Sequence, residues 1–234
     1  MIRASVIVMM LLASAGGQTY PFPSAERLVY TAGFRLFTVG TSTMELSPRV
    51  QGDAPLHIVF RTETLPLFDR LYRIRDRTEV WLDPQSLSLR RMERDIQEGR
   101  YRRQDTTIVD PQRGTIVTRR DTLAARGPVF DPVGAIYHLR GLPLAVGDEI
   151  RLSIFNGRRL QHIGIEVVGL ETVLVPAGEF QCLVLKPAAL DERPLTKVGG
   201  LLHLWLSADE SHTPVRMEQK MGFGTLVLKL REVN

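Results

Sequence analysis

Cysteine is almost missing from this chain: Cys182 stands alone among 234 residues. A single thiol excludes an internal disulfide framework and a multi-cysteine zinc or iron–sulfur centre. It is expected as a small buried hydrophobe. Lysine is nearly as scarce, since 26 of the 30 basic residues are arginine. That scarcity argues against nucleic-acid binding, where basic surfaces ordinarily mix lysine with exposed aromatics. Long apolar runs are missing too. The stretch from Ala4 to Leu12 falls short of the roughly 20 residues that a membrane-spanning helix needs, and no later segment is more apolar. No phosphate-binding loop, nucleophile elbow or metal-binding histidine pair occurs. The five histidines, His57, His138, His162, His203 and His212, are scattered. No metal and no cofactor is expected.

What remains is an ordinary globular composition, 44% hydrophobic and 24% charged, long enough for a sizeable core. Arg3, the apolar stretch after it and Ala13-Ser14-Ala15 have the form of a cleavable secretory signal. Cleavage after Ala15 would leave residues 16–234 as a single β-rich domain, exported to the periplasm. With no cysteine beside the cut, no lipid anchor is expected.

The dominant period is two. From Tyr72 to Leu82, one face carries Tyr72, Ile74, Asp76, Thr78, Val80 and Leu82, and the other Arg73, Arg75, Arg77, Glu79 and Trp81. Such alternation predicts a half-buried antiparallel strand. Similar strands are expected within 56–62, 101–109, 150–155, 163–168, 180–185, 202–206 and 226–230. Turn signals separate them, and Asn156-Gly157 suits a two-residue hairpin. One stretch predicts a helix: Asp131 caps it, Pro132 occupies its first turn, and Gly141 ends it after Arg140.

Asp76 is the most informative polar residue, because alternation places it on the apolar face. A buried carboxylate needs a partner or carries a function. The structural alternative is an ion pair with an inward arginine such as Arg140. Between Arg70 and Arg126 there are 14 basic and nine acidic residues. Within that span Arg73, Arg75, Arg77, Arg100, Arg102 and Arg103 are candidates for a basic surface facing anionic lipid or lipopolysaccharide phosphate. Acidic residues interleave with them, so a solvated, charge-balanced face is the alternative.

Several segments together resemble the bacterial exported family called domain of unknown function 3108. They include Glu26-Arg27-Leu28-Val29-Tyr30, Val39-Gly40-Thr41-Ser42-Thr43 and Leu71-Tyr72-Arg73-Ile74-Arg75-Asp76-Arg77. They continue with Asp131-Pro132, Tyr137, Leu139-Arg140, Leu142-Pro143-Leu144, Pro176-Ala177-Gly178-Glu179-Phe180 and Pro214-Val215-Arg216. The resemblance implies a mainly β fold: a single large curled antiparallel sheet, a β-spiral or open half-barrel, with one short helix as a plug. It supplies no catalytic residues. The expected function is a non-enzymatic periplasmic envelope protein that binds a lipid or lipidated partner in a concave apolar groove. Candidate ligand-binding residues are Tyr72, Ile74, Asp76, Val80, Ile136, Tyr137, Arg140 and Trp205. The alternatives are an envelope scaffold contacting lipopolysaccharide, peptidoglycan or another protein through its arginines, and a hydrolase built on Asp76.

Overall fold

The computed structural model describes residues 20–34, 37–48, 54–189, 201–221 and 224–234. The expected signal segment lies outside them. Among the described residues, β1 (Glu26–Phe34), β2 (Phe37–Leu46) and β3 (Leu56–Thr64) come first, followed by a single helical turn, α1 (Pro66–Asp69). Then come β4 (Arg75–Leu82), β5 (Leu89–Glu98), β6 (Tyr101–Asp110), β7 (Thr115–Thr118) and β8 (Thr122–Ala124). The helix α2 (Pro132–Arg140) separates these from β9 (Glu149–Phe155), β10 (Leu160–Val175) and β11 (Gly178–Ala189). The chain ends on β12 (Leu201–Ser207), β13 (Pro214–Met221) and β14 (Gly224–Val233).

All 14 strands join one antiparallel sheet in the order β8-β7-β6-β5-β4-β3-β2-β1-β14-β13-β12-β11-β10-β9. The first and last strands therefore meet in its middle, and the free edges are β8 and β9. Register shifts interrupt the ladders at Val29/Tyr30, Trp81/Leu82, Val167/Gly169 and Trp205/Leu206. Bulges of this kind increase local twist and let a wide sheet curl instead of staying flat. The sheet does not close, but one edge, β9, is laced back to β5. Phe130, on the way to α2, bridges Ile154 of β9 in parallel. Its neighbour Val129 accepts a 2.7 Å hydrogen bond from Leu89 N–H at the start of β5.

The expected helix is observed, with both Asp131 carboxylate oxygens capping it: Val133 N–H donates at 2.9 Å and Gly134 N–H at 3.0 Å. Seven of its nine residues are buried, as befits a helix inside a curled sheet and not on its surface. Gly134 allows this depth, because a Cβ there would lie 2.6 Å from Asp131 Oδ1 and 2.9 Å from Leu82 of β4. The helical turn α1 was not anticipated. Pro66 begins it and no side chain caps it.

The Asn156-Gly157 turn differs from expectation. The loop runs over four residues, 156–159, because Asn156 Oδ1 accepts from the backbone N–H groups of Arg158 and Arg159 at 3.0 and 3.1 Å. Its role is to meet the opposite side of the curl. Arg94 of β5 donates to Asn156 O at 2.7 Å, Arg103 of β6 to Gly157 O at 3.2 Å, and Arg158 to Tyr101 Oη at 2.9 Å. Gly157 has φ +83°, and a Cβ there would lie 2.0 Å from Arg94 Nη2. Gly157→Ala should therefore cost about 1–2 kcal/mol through backbone strain and displacement of the guanidinium. A thermal melt checks this. An unchanged melt would show that these bonds do not help hold the β9 edge against β5 and β6.

Candidate functional site

Strand register fixes which side chains face the hollow. Thr62 of β3 pairs with Ser42 on one side and Asp76 on the other, and Phe60 lies between Met44 and Thr78. On the next strand Thr78 pairs with Arg94 and Val80 with Met92. The isolated bridge between Ile74 and Glu98 extends the same face by one more row. Alternation thus takes the inner surface from an apolar row, Leu46–Ile58–Val80–Met92, through the mixed row Met44–Phe60–Thr78–Arg94 to a polar row, Ser42–Thr62–Asp76, tied by a 2.8 Å hydroxyl hydrogen bond between Ser42 and Thr62.

Between this surface and α2 lies a cavity of about 310 Å³. Met44, Phe60, Met92, Ile136, Met217 and Leu228 supply apolar wall. Thr62, Asp76, Thr78, Arg94, Glu98 and Gln219 supply the polar part. A narrow apolar cleft of about 40 Å³ follows the other flank of α2, with Ile136 bordering both spaces. The helix therefore fills the hollow only partly. A larger depression of about 420 Å³, with Arg126, Arg151 and His138 on its rim, is more open and lies beside β9.

The ionisable groups are unevenly satisfied. Burial pushes Asp76 up to about 6, opposed by the Gln97 N–H that donates to it at 2.9 Å and reinforced by Glu98. Burial likewise raises Asp131 to about 6 against its two capping amides. Arg94 gives Nη1 to Asn156 O and Nη2 to Asp105, at 2.7 and 2.9 Å, while its Nε is buried without a partner.

The expected ligand-binding residues divide. Ile74, Asp76 and Ile136 line the cavity. Val80 is fully buried beside it. Tyr72, expected inward, precedes β4 and is 44% exposed. Its ring lies over Gly99, and it stands close enough to Glu98 and Asp76 for their charges, after burial, to raise its pKa. Trp205 faces away from the hollow, donating from Nε1 to Glu171 at 2.8 Å under the Arg216 guanidinium, 4.5 Å from its ring.

Arg140 is not the partner of Asp76. It is buried against Glu26, with Nη2 to Oε2 at 3.0 Å and Nη1 on Oε1, and Tyr137 Oη donates to the same Oε1 at 2.8 Å. Burial alone would lower the Arg140 pKa, but the Glu26 carboxylate outweighs it and the net direction is upward. Phe22 and Tyr137 enclose the guanidinium at 4.8 and 5.0 Å.

The six candidate surface arginines do not form one open patch. Arg75 pairs with Asp69 at 2.5 Å, Arg77 with Glu79 at 2.9 Å and Arg103 with Asp105 at 2.6 Å. Arg102 donates to Gly99 O at 2.9 Å, while Arg73 and Arg100 are exposed. Register places Arg103 beside Asp105 on the inner face, at the laced edge. Among the described residues, no three His, Cys, Asp or Glu side chains gather as a metal site, and no helix is long and apolar enough to cross a membrane.

Sequence reasoning did not identify Met44, Phe60, Met92, Arg94, Glu98, Met217 and Leu228 as wall residues. Their signal was period-two alternation within β2, β3, β5, β13 and β14, of which the segments in β3 and β14 were expected as strands and the one in β5 was concealed by its interleaved charges.

The curled sheet has a solved counterpart. A β-barrel-like protein of domain of unknown function 1849 from Brucella abortus superposes with a TM-score of 0.60 at 12% identity, covering 90% of this chain and 97% of its own. A DUF1089 family protein from Pseudomonas aeruginosa reaches 0.36 at 13% identity, over 92% and 95%. A candidate exported protein from Bacteroides fragilis reaches 0.32 at 12%, over 92% and 98%. Scores that low carry no argument. No curated protein matches the chain. The model of a protein family of unknown function, DUF3108, matches residues 29–231, and the chain belongs to that family.

Proposed function

We propose that the protein is a non-catalytic binding protein of the periplasm that holds an amphiphile, a lipid or the lipid group of a partner, in the cavity between α2 and the sheet. The observation that carries this reading is the cavity's make-up: an apolar wall, a segregated polar end and a buried helix that leaves space unfilled. At about 310 Å³ it sits at the lower end of small-molecule sites, which run from roughly 300 to 1,000 Å³. A hydrolase built on Asp76 gains less support, because the arginine in the same lining, Arg94, is committed to Asp105 and to Asn156 O. An outer arginine surface gains less as well, since Arg75 and Arg77 already hold carboxylates.

Organic extraction of the protein purified from its native envelope fraction, followed by mass spectrometry, tests the reading. A co-purifying amphiphile is expected. Ile136→Trp should reduce it at least about ten-fold by filling the space, at a stability cost of about 1–3 kcal/mol from overpacking. An extract without amphiphile, from wild type and variant alike, would count against the proposal.

A further inference from the structure

The polar end of the cavity has a sign. Asp76 from β4 and Glu98 from β5 both reach it, and Asp131 caps α2 at its border. The Tyr72 phenol stands near the two strand carboxyls, and Asp95 adds a further negative field at Asp76. From the far side come the Gln219 amide on β13 and only aliphatic groups, Leu226 and Leu228, on β14. Arg94 is the cation within the lining. Its two Nη atoms hold Asn156 O and Asp105 while its Nε is buried without a partner, and Arg103 and Arg158 lie behind it at the laced edge. An anionic head group would meet two carboxyls, and a guanidinium that shares the single charge of Asp105 with Arg103 and is held back at the laced edge. A cationic head group would meet two acceptors in a partly dehydrated site, where charge-assisted hydrogen bonds are strongest.

We infer that the cavity selects an amphiphile with an ammonium head, seated between Asp76 and Glu98 with its chain along Met44, Phe60, Met217 and Leu228. This rests on the reading of the cavity as a binding site and adds the class of ligand. No covalent step is involved. Ammonium binding displaces the proton that burial retains on Asp76, so affinity rises as pH rises through about 6. An alkylammonium keeps its charge throughout that range, its pKa lying near that of lysine, about 10.4.

Calorimetry with decylamine, decanol and decanoate, all below micelle-forming concentrations, separates the possibilities. Decylamine should bind at least about ten-fold more tightly than decanoate at pH 7, and more weakly at pH 5. Asp76→Asn and Glu98→Gln should each weaken decylamine about ten-fold, the loss of one charged hydrogen bond, and should weaken decanol, which brings no charge to the site, by less. Melting curves confirm that the variants are folded, and the wild-type ranking decides the matter without them. Equal or tighter binding of decanoate, or variants that retain the amine, would overturn the ammonium inference while leaving the cavity as a binding site. If none of the three probes binds, the binding-site reading falls and this inference with it.

Discussion

Glu26→Gln should destabilise the protein by about 3–5 kcal/mol, and Arg140→Met by a similar amount. The Arg140 side chain is fully buried and that of Glu26 is 2% exposed, so removing either charge strands the other away from water. A pair that is merely on the surface would lose about 1 kcal/mol or less. The neighbours raise the stakes further. Tyr137 Oη also donates to Glu26, Arg140 Nε donates to Ser211 O at 3.2 Å, and the Arg140 carbonyl accepts from His212 at 3.1 Å. This set joins the end of α2 to β1 and to the turn before β13, and so fixes the depth at which the plug sits. The double variant Glu26→Leu/Arg140→Met should recover part of the loss, because no lone charge then remains buried. Urea unfolding of the four proteins gives the coupling energy directly. Additive single effects would show that the pair is not a unit.

The parts of the fold visible in the sequence are those governed by neighbours along the chain. Alternation located β3, β4, β6 and β9, and Asp131-Pro132 located the start of α2, because strand periodicity and helix capping are local. The β5 strand was hidden. In Leu89-Arg90-Arg91-Met92-Glu93-Arg94-Asp95-Ile96-Gln97-Glu98 the inner positions Arg94 and Glu98 are ionic, so the inner face does not look apolar. The partner of Arg140 lies 114 residues away, and no local pattern announces such a contact. Trp205 misled for another reason. Leu204 and Leu206 already turn inward on β12, and the indole is buried on the opposite face by Arg216 and Glu171, with its N–H satisfied. Asp76 was legible because it breaks the pattern of its own strand, and a broken pattern is where a site is expected.

Stability should fall as pH rises from about 4 to 6, and Asp76→Asn should reverse part of that fall. Asp76 and Asp131 both move from 3.8 to about 6 in the folded protein, burial being the main cause. Between those values the folded chain binds more protons than the unfolded chain, so raising the pH favours unfolding. Two pH units at a fully buried group amount to about 3 kcal/mol, which bounds the contribution of Asp131. Screening at the partly exposed Asp76 brings its share nearer 1 kcal/mol. Carboxylates paired with arginine act in the opposite sense at lower pH. Burial would raise Asp83, but Arg90 and Ser86 outweigh it and hold it at about 2; its contribution is complete above pH 4 and is lost as pH falls through about 2. In Asp76→Asn the amide oxygen still accepts the Gln97 N–H, and the charge facing Glu98 is gone. This variant should be about 1 kcal/mol more stable than wild type at pH 7.5 and equal to it at pH 4. Urea titrations at the two pH values check the difference. A variant less stable than wild type at pH 7.5 would mean that the carboxylate is compensated where it stands. Under the ammonium inference the same substitution should raise stability and lower amine affinity together, the trade expected of a residue kept for binding at the expense of the fold.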